Sequence, residues 1–212
     1  MNILHIDASP LGSASISRQL TAAVVERLKQ DAPGASVTYL DLIATPVSHL
    51  GGELLQILRP APGSTPPDNP TVRADAAQTE TLLTDFLRAD VIVIGAPMIN
   101  FSIPSQLKSW IDRVAQHGRT FRYTAAGPEG LAGGKKVIAV STRGGAYAGT
   151  AYESVLDHQE SYLRTVLNFL GITDVTFVRA EGVAISPEKK QEALATASRQ
   201  IADLHVEVPR AA

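Results

Sequence analysis

Val91-Ile92-Val93-Ile94 is an unbroken run of β-branched apolar residues between Asp90 and Gly95. A strand with one wet face alternates apolar and polar residues, so a continuous run belongs to a strand covered on both faces. Lys135-Lys136-Val137-Ile138-Ala139-Val140-Ser141 repeats the pattern, and shorter β-prone runs stand at Ile3 to Asp7, Val37 to Leu40 and Asp174 to Val178. The segments between them carry apolar residues at helical spacing. These are Leu20, Ala23, Val24 and Leu28; Val72, Ala76, Thr79, Leu83 and Phe86; Leu107, Trp110, Ile111 and Val114; Leu163, Val166, Leu167 and Leu170; and Leu194, Ala197, Ile201 and Leu204. Pro104 is expected in the first turn of the third of these helices. Strand and helix thus alternate five times, and each parallel crossover needs such a connecting element.

The fold expected is α/β: a doubly wound sheet of five parallel strands, with flavodoxin-like strand order and helices on both faces. A chain of 212 residues without a repeat or a linker reads as one domain over 1–212. Arg59 to Pro70 holds five of the thirteen prolines and reads as a loop, either joining parts of the domain or folding over its site. Phe121 to Gly134 is Gly-rich and partly extended, as in a small hairpin, and the tail Val206 to Ala212 is expected to fray.

Composition narrows the function. With 44% hydrophobic and 19% charged residues, the bulk of the chain cannot be disordered. A net charge of −2 gives no electrostatic reason to bind nucleic acid or an anionic membrane. Zero cysteines exclude disulfides, thiolate metal sites, iron–sulfur clusters and a cysteine nucleophile. The five histidines lack ligand spacing, so no metal site is expected. The longest apolar stretch, Val91 to Ile99, is interrupted by Gly95 and Pro97 and is far short of the ~20 residues of a membrane helix. A cytoplasmic protein is expected.

In this architecture ligands bind at the carboxyl ends of the strands. The loop after the first strand, Ser9-Pro10-Leu11-Gly12-Ser13-Ala14-Ser15-Ile16-Ser17-Arg18, puts four serines ahead of a helix. Hydroxyls and free N–H groups at a helix N-terminus suit a phosphate. Ordinary N-capping explains one serine of the four. No Walker-type loop exists in the chain. The loop after the third strand, Gly95 to Pro104, carries Met98, Ile99 and Phe101, which either line a flat ring or pack under the next helix. Asn100 offers a donor and an acceptor to a heterocycle edge. Ser141-Thr142-Arg143-Gly144-Gly145-Ala146-Tyr147 follows the fourth strand, and its paired glycines allow a close approach to a ligand or make a plain turn. The chain has no G-x-G-x-x-G dinucleotide cradle and no G-x-S-x-G elbow.

These segments resemble the FMN-dependent NADH-azoreductases, which are also NADH:quinone oxidoreductases of flavodoxin-like fold. The resemblance covers nearly the whole chain. It rests on the serine loop, Leu58-Arg59-Pro60, Ala96-Pro97-Met98-Ile99-Asn100-Phe101, Gln106-Leu107-Lys108, Arg143-Gly144-Gly145 and Phe169-Leu170-Gly171-Ile172-Thr173-Asp174-Val175. Its most specific piece is Phe121-Arg122-Tyr123-Thr124 with Gly127-Pro128-Glu129-Gly130-Leu131.

The resemblance implies tightly bound, non-covalent FMN, with NADH as co-substrate. Electrons would pass from NADH through FMN to quinones and azo compounds in a ping-pong, two-electron reaction that cleaves the azo bond. Ser9, Ser15, Ile16 and Ser17 would hold the phosphate. Met98, Ile99, Asn100 and Phe101 would cradle the isoalloxazine, and Thr142, Arg143, Gly144 and Gly145 would approach its pyrimidine edge. No side chain is assigned as acid or base. The family usually has an aromatic residue where this chain has Ile99, and Ser where it has Thr142. The resemblance also implies a homodimer with active sites at the interface, where Arg59, Phe121, Tyr123 and Phe169 would line the substrate pocket. An electron-carrying flavodoxin without NADH activity is the alternative; such carriers are usually strongly acidic, unlike a chain of net charge −2. Eight of the eleven aromatic residues lie between positions 101 and 169, so the rings gather in the segments that carry the resemblance.

Overall fold

The computed structural model describes residues 1–206. In chain order the elements are β1 (Asn2–Asp7), α1 (Ile16–Asp31), β2 (Ser36–Asp41), α2 (Gly52–Leu58), α3 (Pro70–Arg88), β3 (Val91–Pro97) and α4 (Ser105–Val114). They continue with β4 (Phe121–Thr124), β5 (Gly127–Gly130), β6 (Lys136–Thr142), α5 (Glu153–Leu156), α6 (Glu160–Phe169), β7 (Asp174–Ala180) and α7 (Pro187–Ala202). Five strands form one parallel sheet in the order β2-β1-β3-β6-β7, the flavodoxin-like order expected. β4 and β5 make a separate antiparallel hairpin, as the Gly-rich segment suggested.

The continuous apolar runs are explained by the two layers they serve. Val91 and Val93 of β3 pack with Ile138 and Val140 of β6 against Leu20, Val24 and Leu28 of α1 and Ala197 and Ile201 of α7. Ile92 and Ile94 pack the other way, with Phe86 of α3, Leu107 and Trp110 of α4, and Leu163 and Leu167 of α6. Register pairs Ile94 with Ile6 and with Ala139, so equivalent faces stack across the sheet. Trp110 is buried and meets Phe86 edge-on at 5.9 Å, a packing role.

Several expectations are corrected. Ala23 faces solvent; Thr21 and Val25 are buried beside Val24 instead. Pro104, at ψ 144°, is the N-cap of α4 rather than part of its first turn: its backbone is extended, although its carbonyl accepts the first bond of the helix from the N–H of Lys108. Leu204 is buried but lies beyond the end of α7. Two short helices, α2 and α5, add to the five expected. The proline-rich stretch joins α2 to α3, with Asn69 accepting from the N–H groups of Thr71 and Val72 as the cap of α3. The expected fraying falls on a tail of which residues 207–212 lie outside those described. No helix among the described residues is long and apolar enough to cross a membrane.

Candidate functional site

Parallel strands bring the loops after β1, β3 and β6 to one edge of the sheet, because β1, β3 and β6 are adjacent. Direct hydrogen bonds knit the last two loops: the N–H of Met98 donates to the carbonyl of Thr142 at 2.8 Å.

In the first loop a 3₁₀ turn at Gly12–Ala14 leads into α1. Ser15 is the N-cap, and its Oγ accepts from the N–H of Arg18 at 3.3 Å. Capping therefore accounts for Ser15. Ser9 and Ser17 are buried as well, and Ser17 Oγ lies 3.0 Å from Ser15 Oγ. The first-turn N–H groups of Ile16 and Ser17 have no intrahelical acceptor. Ser13 is exposed. The loop is held from behind by Arg18, whose guanidinium donates twice to the carbonyl of Ser9, at 2.9 and 3.2 Å, and pairs bidentately with Asp41. Those hydrogen bonds from Arg18, aided by the N–H groups of Ile43 and Ala44, overcome partial burial and hold the Asp41 carboxyl at about 2. Burial pushes the neighbouring Asp7 carboxyl up. His5 at 3.5 Å, Thr21 and Tyr39 outweigh that and leave it below its ordinary value.

The second loop makes a tight reversal. Ile99 and Ser102 exchange backbone hydrogen bonds at 2.9 and 3.1 Å, and the two residues between them both have positive φ: Asn100 at 48° and Phe101 at 70°. Positive φ at both central positions is the pattern of a type I′ turn, which Asn accepts readily and Phe does not. Strain of this kind collects at functional sites. The turn leaves Ile99 38% and Phe101 45% exposed, so they do not pack under α4. Met98 is half-buried. A cavity of about 580 Å³ lies against the turn, with Pro10 of the first loop, Ile99, Asn100, Ile103 and Tyr162 in its lining. That is within the usual size of a small-molecule site, roughly 300–1,000 Å³.

In the third loop the structure revises how the residues are used. The Arg143 side chain is fully buried and turned into the protein, donating to Gln159, Asp157 and Glu181. Its backbone is engaged as well, the N–H donating to the carbonyl of Ala180 and the carbonyl accepting from the N–H of Val183, so Arg143 braces the loop from within. Nor do the glycines leave open space: a Cβ on Gly145 would fall 2.9 Å from the Tyr147 hydroxyl, and one on Gly144 would touch Ala184. Their carbonyls accept from Gly182 and Ala184, whereas their N–H groups find no acceptor among the described residues. Two unpartnered N–H groups beside the Met98–Phe101 turn suit the acceptor-rich edge of a heterocycle.

Phe121, Tyr123 and Phe169 also come together, but elsewhere. Phe121 meets Phe169 at 4.6 Å and Tyr123 edge-on at 5.7 Å, and His117 stacks on Tyr123 at 6.0 Å. Tyr123 is 67% exposed. Arg59 reaches the same side, where Nη2 donates to the carbonyl of Ala115. His117 and Gln159 are participants that sequence reading did not single out; neither carries a local motif, and both acquire partners only through tertiary contacts.

A family model described as flavodoxin-like fold matches residues 1–204. The FMN-dependent NADH:quinone oxidoreductase of Azospirillum brasilense is 56% identical over 210 residues, covering 98% of this chain and 99% of that one. The protein of the same name from Sinorhizobium fredii is 55% identical over 204 residues, 96% of each chain. The chain belongs to the flavodoxin-like fold family, in the branch whose members are the FMN-dependent NADH:quinone oxidoreductases. Among solved structures, an azoreductase from Bacillus anthracis str. Sterne superposes with TM-score 0.85 at 28% identity, covering 95% of this chain and 97% of that one. An FMN-dependent NADH-azoreductase from Bacillus anthracis str. Ames Ancestor, in complex with FMN, matches with the same TM-score at 26% identity, over 95% of this chain and 96% of that one.

Proposed function

We propose that this protein is an FMN-dependent NADH:quinone oxidoreductase that also reduces azo compounds. The observation that carries the reading is the convergence of three loops on one sheet edge, where buried hydroxyls and unpartnered N–H groups flank an exposed apolar turn. These residues fit FMN: an anion site, a flat apolar face and a row of donors follow one another. The redox chemistry, hydride acceptance from NADH and two-electron transfer to the acceptor, would be supplied by FMN when bound.

The chain's own residues bind and orient. Ser9, Ser15 and Ser17 offer hydroxyls to the phosphate, and Ile16 and Ser17 add N–H donors at the positive end of α1. Met98, Ile99, Asn100 and Phe101 would lie along the ring. Gly144 and Gly145 present N–H donors to the pyrimidine edge with Thr142 beside them, while Arg143, whose N–H donates to the carbonyl of Ala180, braces the loop. Such fixed dipoles stabilise developing negative charge without reorganising.

The reading extends to one domain over 1–212, a cytoplasmic setting that supplies NADH, and a homodimer. Helix geometry supports the dimer. α6 begins beside the ring site, where Gln159 bonds Ala96, and it ends at Phe169. Ten helical residues span about 15 Å, so a chain's own Phe121–Tyr123–Phe169 cluster stands too far from its own ring site. A second copy would bring that cluster, with Arg59, over the site as the substrate pocket. Exposed Phe101, Tyr152 and Val155 offer apolar surface for such a contact. The test is steady-state turnover of the FMN-loaded protein with varied NADH and quinone. Parallel double-reciprocal lines are expected; no turnover, or turnover only after adding a separate reductase, contradicts the reading.

A further inference from the structure

Gln159 is fully buried, and its one amide group bridges the end of β3, which leads into the Met98–Phe101 turn, to the loop after β6. Nε2 donates to the carbonyl of Ala96, the residue two before Met98. Oε1 accepts from Arg143 Nε at 2.9 Å and from Ser141 Oγ at 3.3 Å. Arg143 then carries the connection outward, to Asp157 at 2.7 Å, Glu160 at 2.9 Å and Glu181 at 2.8 Å. Each of those carboxylates holds further backbone or charge. Asp157 accepts from the N–H groups of Gln159 and Glu160 at the start of α6. Glu181 accepts from the N–H groups of Tyr147 and Ala148. Glu160 pairs with Arg179 through two short hydrogen bonds. The N–H of His158 also donates to the carbonyl of Phe101, so the strained turn is tied to the same segment.

This is more than a stability device. Arg143 could satisfy its carboxylates without touching the loop after β3, and Ala96 could pair with the sheet alone. Gln159 adds a side-chain tie between them, beside the β3–β6 ladder and the hydrogen bond from Met98 to Thr142. Because the N–H groups of Gly144 and Gly145 and the Met98–Phe101 turn must meet one rigid ring from two directions, their relative placement decides how well both engage it. Resting on the FMN reading above, we propose that Gln159 is a positioning residue for the flavin, acting through the carbonyl of Ala96 on one side and Arg143 on the other.

The test compares Gln159→Met with Gln159→Glu. Met keeps the length and removes both links. Glu, when ionised, retains acceptors for Arg143 and Ser141 but has no donor for Ala96, so titrations at alkaline pH break the bridge while keeping the Arg143 side. Apoprotein of each variant is titrated with FMN by quenching of flavin fluorescence, and the visible spectrum is recorded at saturation. Both variants are expected to raise the FMN Kd about tenfold or more, or about 1.4 kcal/mol, and to displace the flavin's visible absorption bands. The Gln159→Glu apoprotein is expected to keep a wild-type far-ultraviolet spectrum and a cooperative melt. Wild-type Kd and bands in both variants overturn the proposal, and so does loss of the apoprotein fold in both, which assigns Gln159 to core stability. Wild-type protein is the control for the underlying reading: if it fails to bind FMN, the functional reading falls, whereas FMN binding that is unchanged in the variants sinks only the role of Gln159.

Discussion

Replacing Gly130 with Ala probes how the aromatic cluster is attached. A Cβ at position 130 would fall 2.1 Å from the nitrogen of Gly171 and 2.3 Å from the carbonyl carbon of Leu170. Both are backbone atoms, so no side chain can swing aside. Gly171 itself sits at φ +90°, a conformation its neighbours hold in place. The β4–β5 hairpin must therefore lift from the end of α6 by about 1 Å or more to regain ordinary contact distance. Lifting weakens the 2.9 Å hydrogen bond from Ala132 to Leu170, opens Phe121 to water and separates it from Phe169. A hydrogen bond is worth about 1 kcal/mol, partial exposure of a buried Phe about 1 kcal/mol, and an aromatic pair about 1 kcal/mol. The expected loss is thus about 3 kcal/mol, and at about 2–4 °C per kcal/mol for this chain length the melting temperature should fall by about 6–12 °C. Gly34→Ala is the control, since a Cβ there meets nothing within 4 Å, and it should melt within about 2 °C of wild type. Calorimetry of the apoproteins decides stability. On the function side, the hairpin variant should raise the quinone KM while leaving FMN affinity intact, because the serine loop lies on a different part of the fold. A Gly130→Ala protein melting within about 2 °C of wild type would refute the close-approach argument.

Further outcomes follow from the loops themselves. Ser15→Ala removes a cap and a hydroxyl together, so it should cost about 1 kcal/mol of apoprotein stability and, in addition, weaken FMN binding by isothermal titration; an affinity equal to wild type removes Ser15 from the phosphate site. Arg143→Met leaves Asp157 and Glu181 without their guanidinium and should cost about 3–5 kcal/mol in urea denaturation. A loss under about 1 kcal/mol would show that the cluster is solvated rather than buried. Asp41 is held at about 2 against an ordinary 3.8. A depressed carboxyl stabilises the fold above its unfolded-state value and loses that contribution as pH falls through the folded-state value. The stability gap between wild type and Asp41→Asn should therefore be full near neutrality and narrow steadily below about pH 4; a gap independent of pH down to about 3 contradicts the pairing with Arg18.

The fold was legible because its central strands are apolar on both faces and its longer helices each carry an apolar stripe. α2 and α5 were not, since seven and four residues are too few to show a helical period, and α2 begins beside Gly51 and Gly52. The three site loops could be read because strand order alone decides that loops after adjacent parallel strands share an edge. What could not be read is which atoms of those loops remain available. Arg143 stands in a glycine-rich loop at the right edge, and its sequence neighbours do not disclose that Asp157, Glu160 and Glu181 will bury its side chain. The same holds for Gly145, whose missing Cβ makes room for Tyr147 rather than for a ligand. Gly130 is legible as part of a motif, but its reason, backbone contact with Gly171, exists only once hairpin and helix are packed.

On the reading above, this one chain accepts electrons from NADH on bound FMN and passes them to a quinone. Anaerobic titration of the FMN-loaded protein with NADH, followed by menadione, tests it directly. The flavin absorbance should bleach at about one NADH per FMN and return on adding menadione, with no other protein present. A flavin that binds yet stays oxidised in excess NADH would contradict the claim and leave an electron carrier in its place.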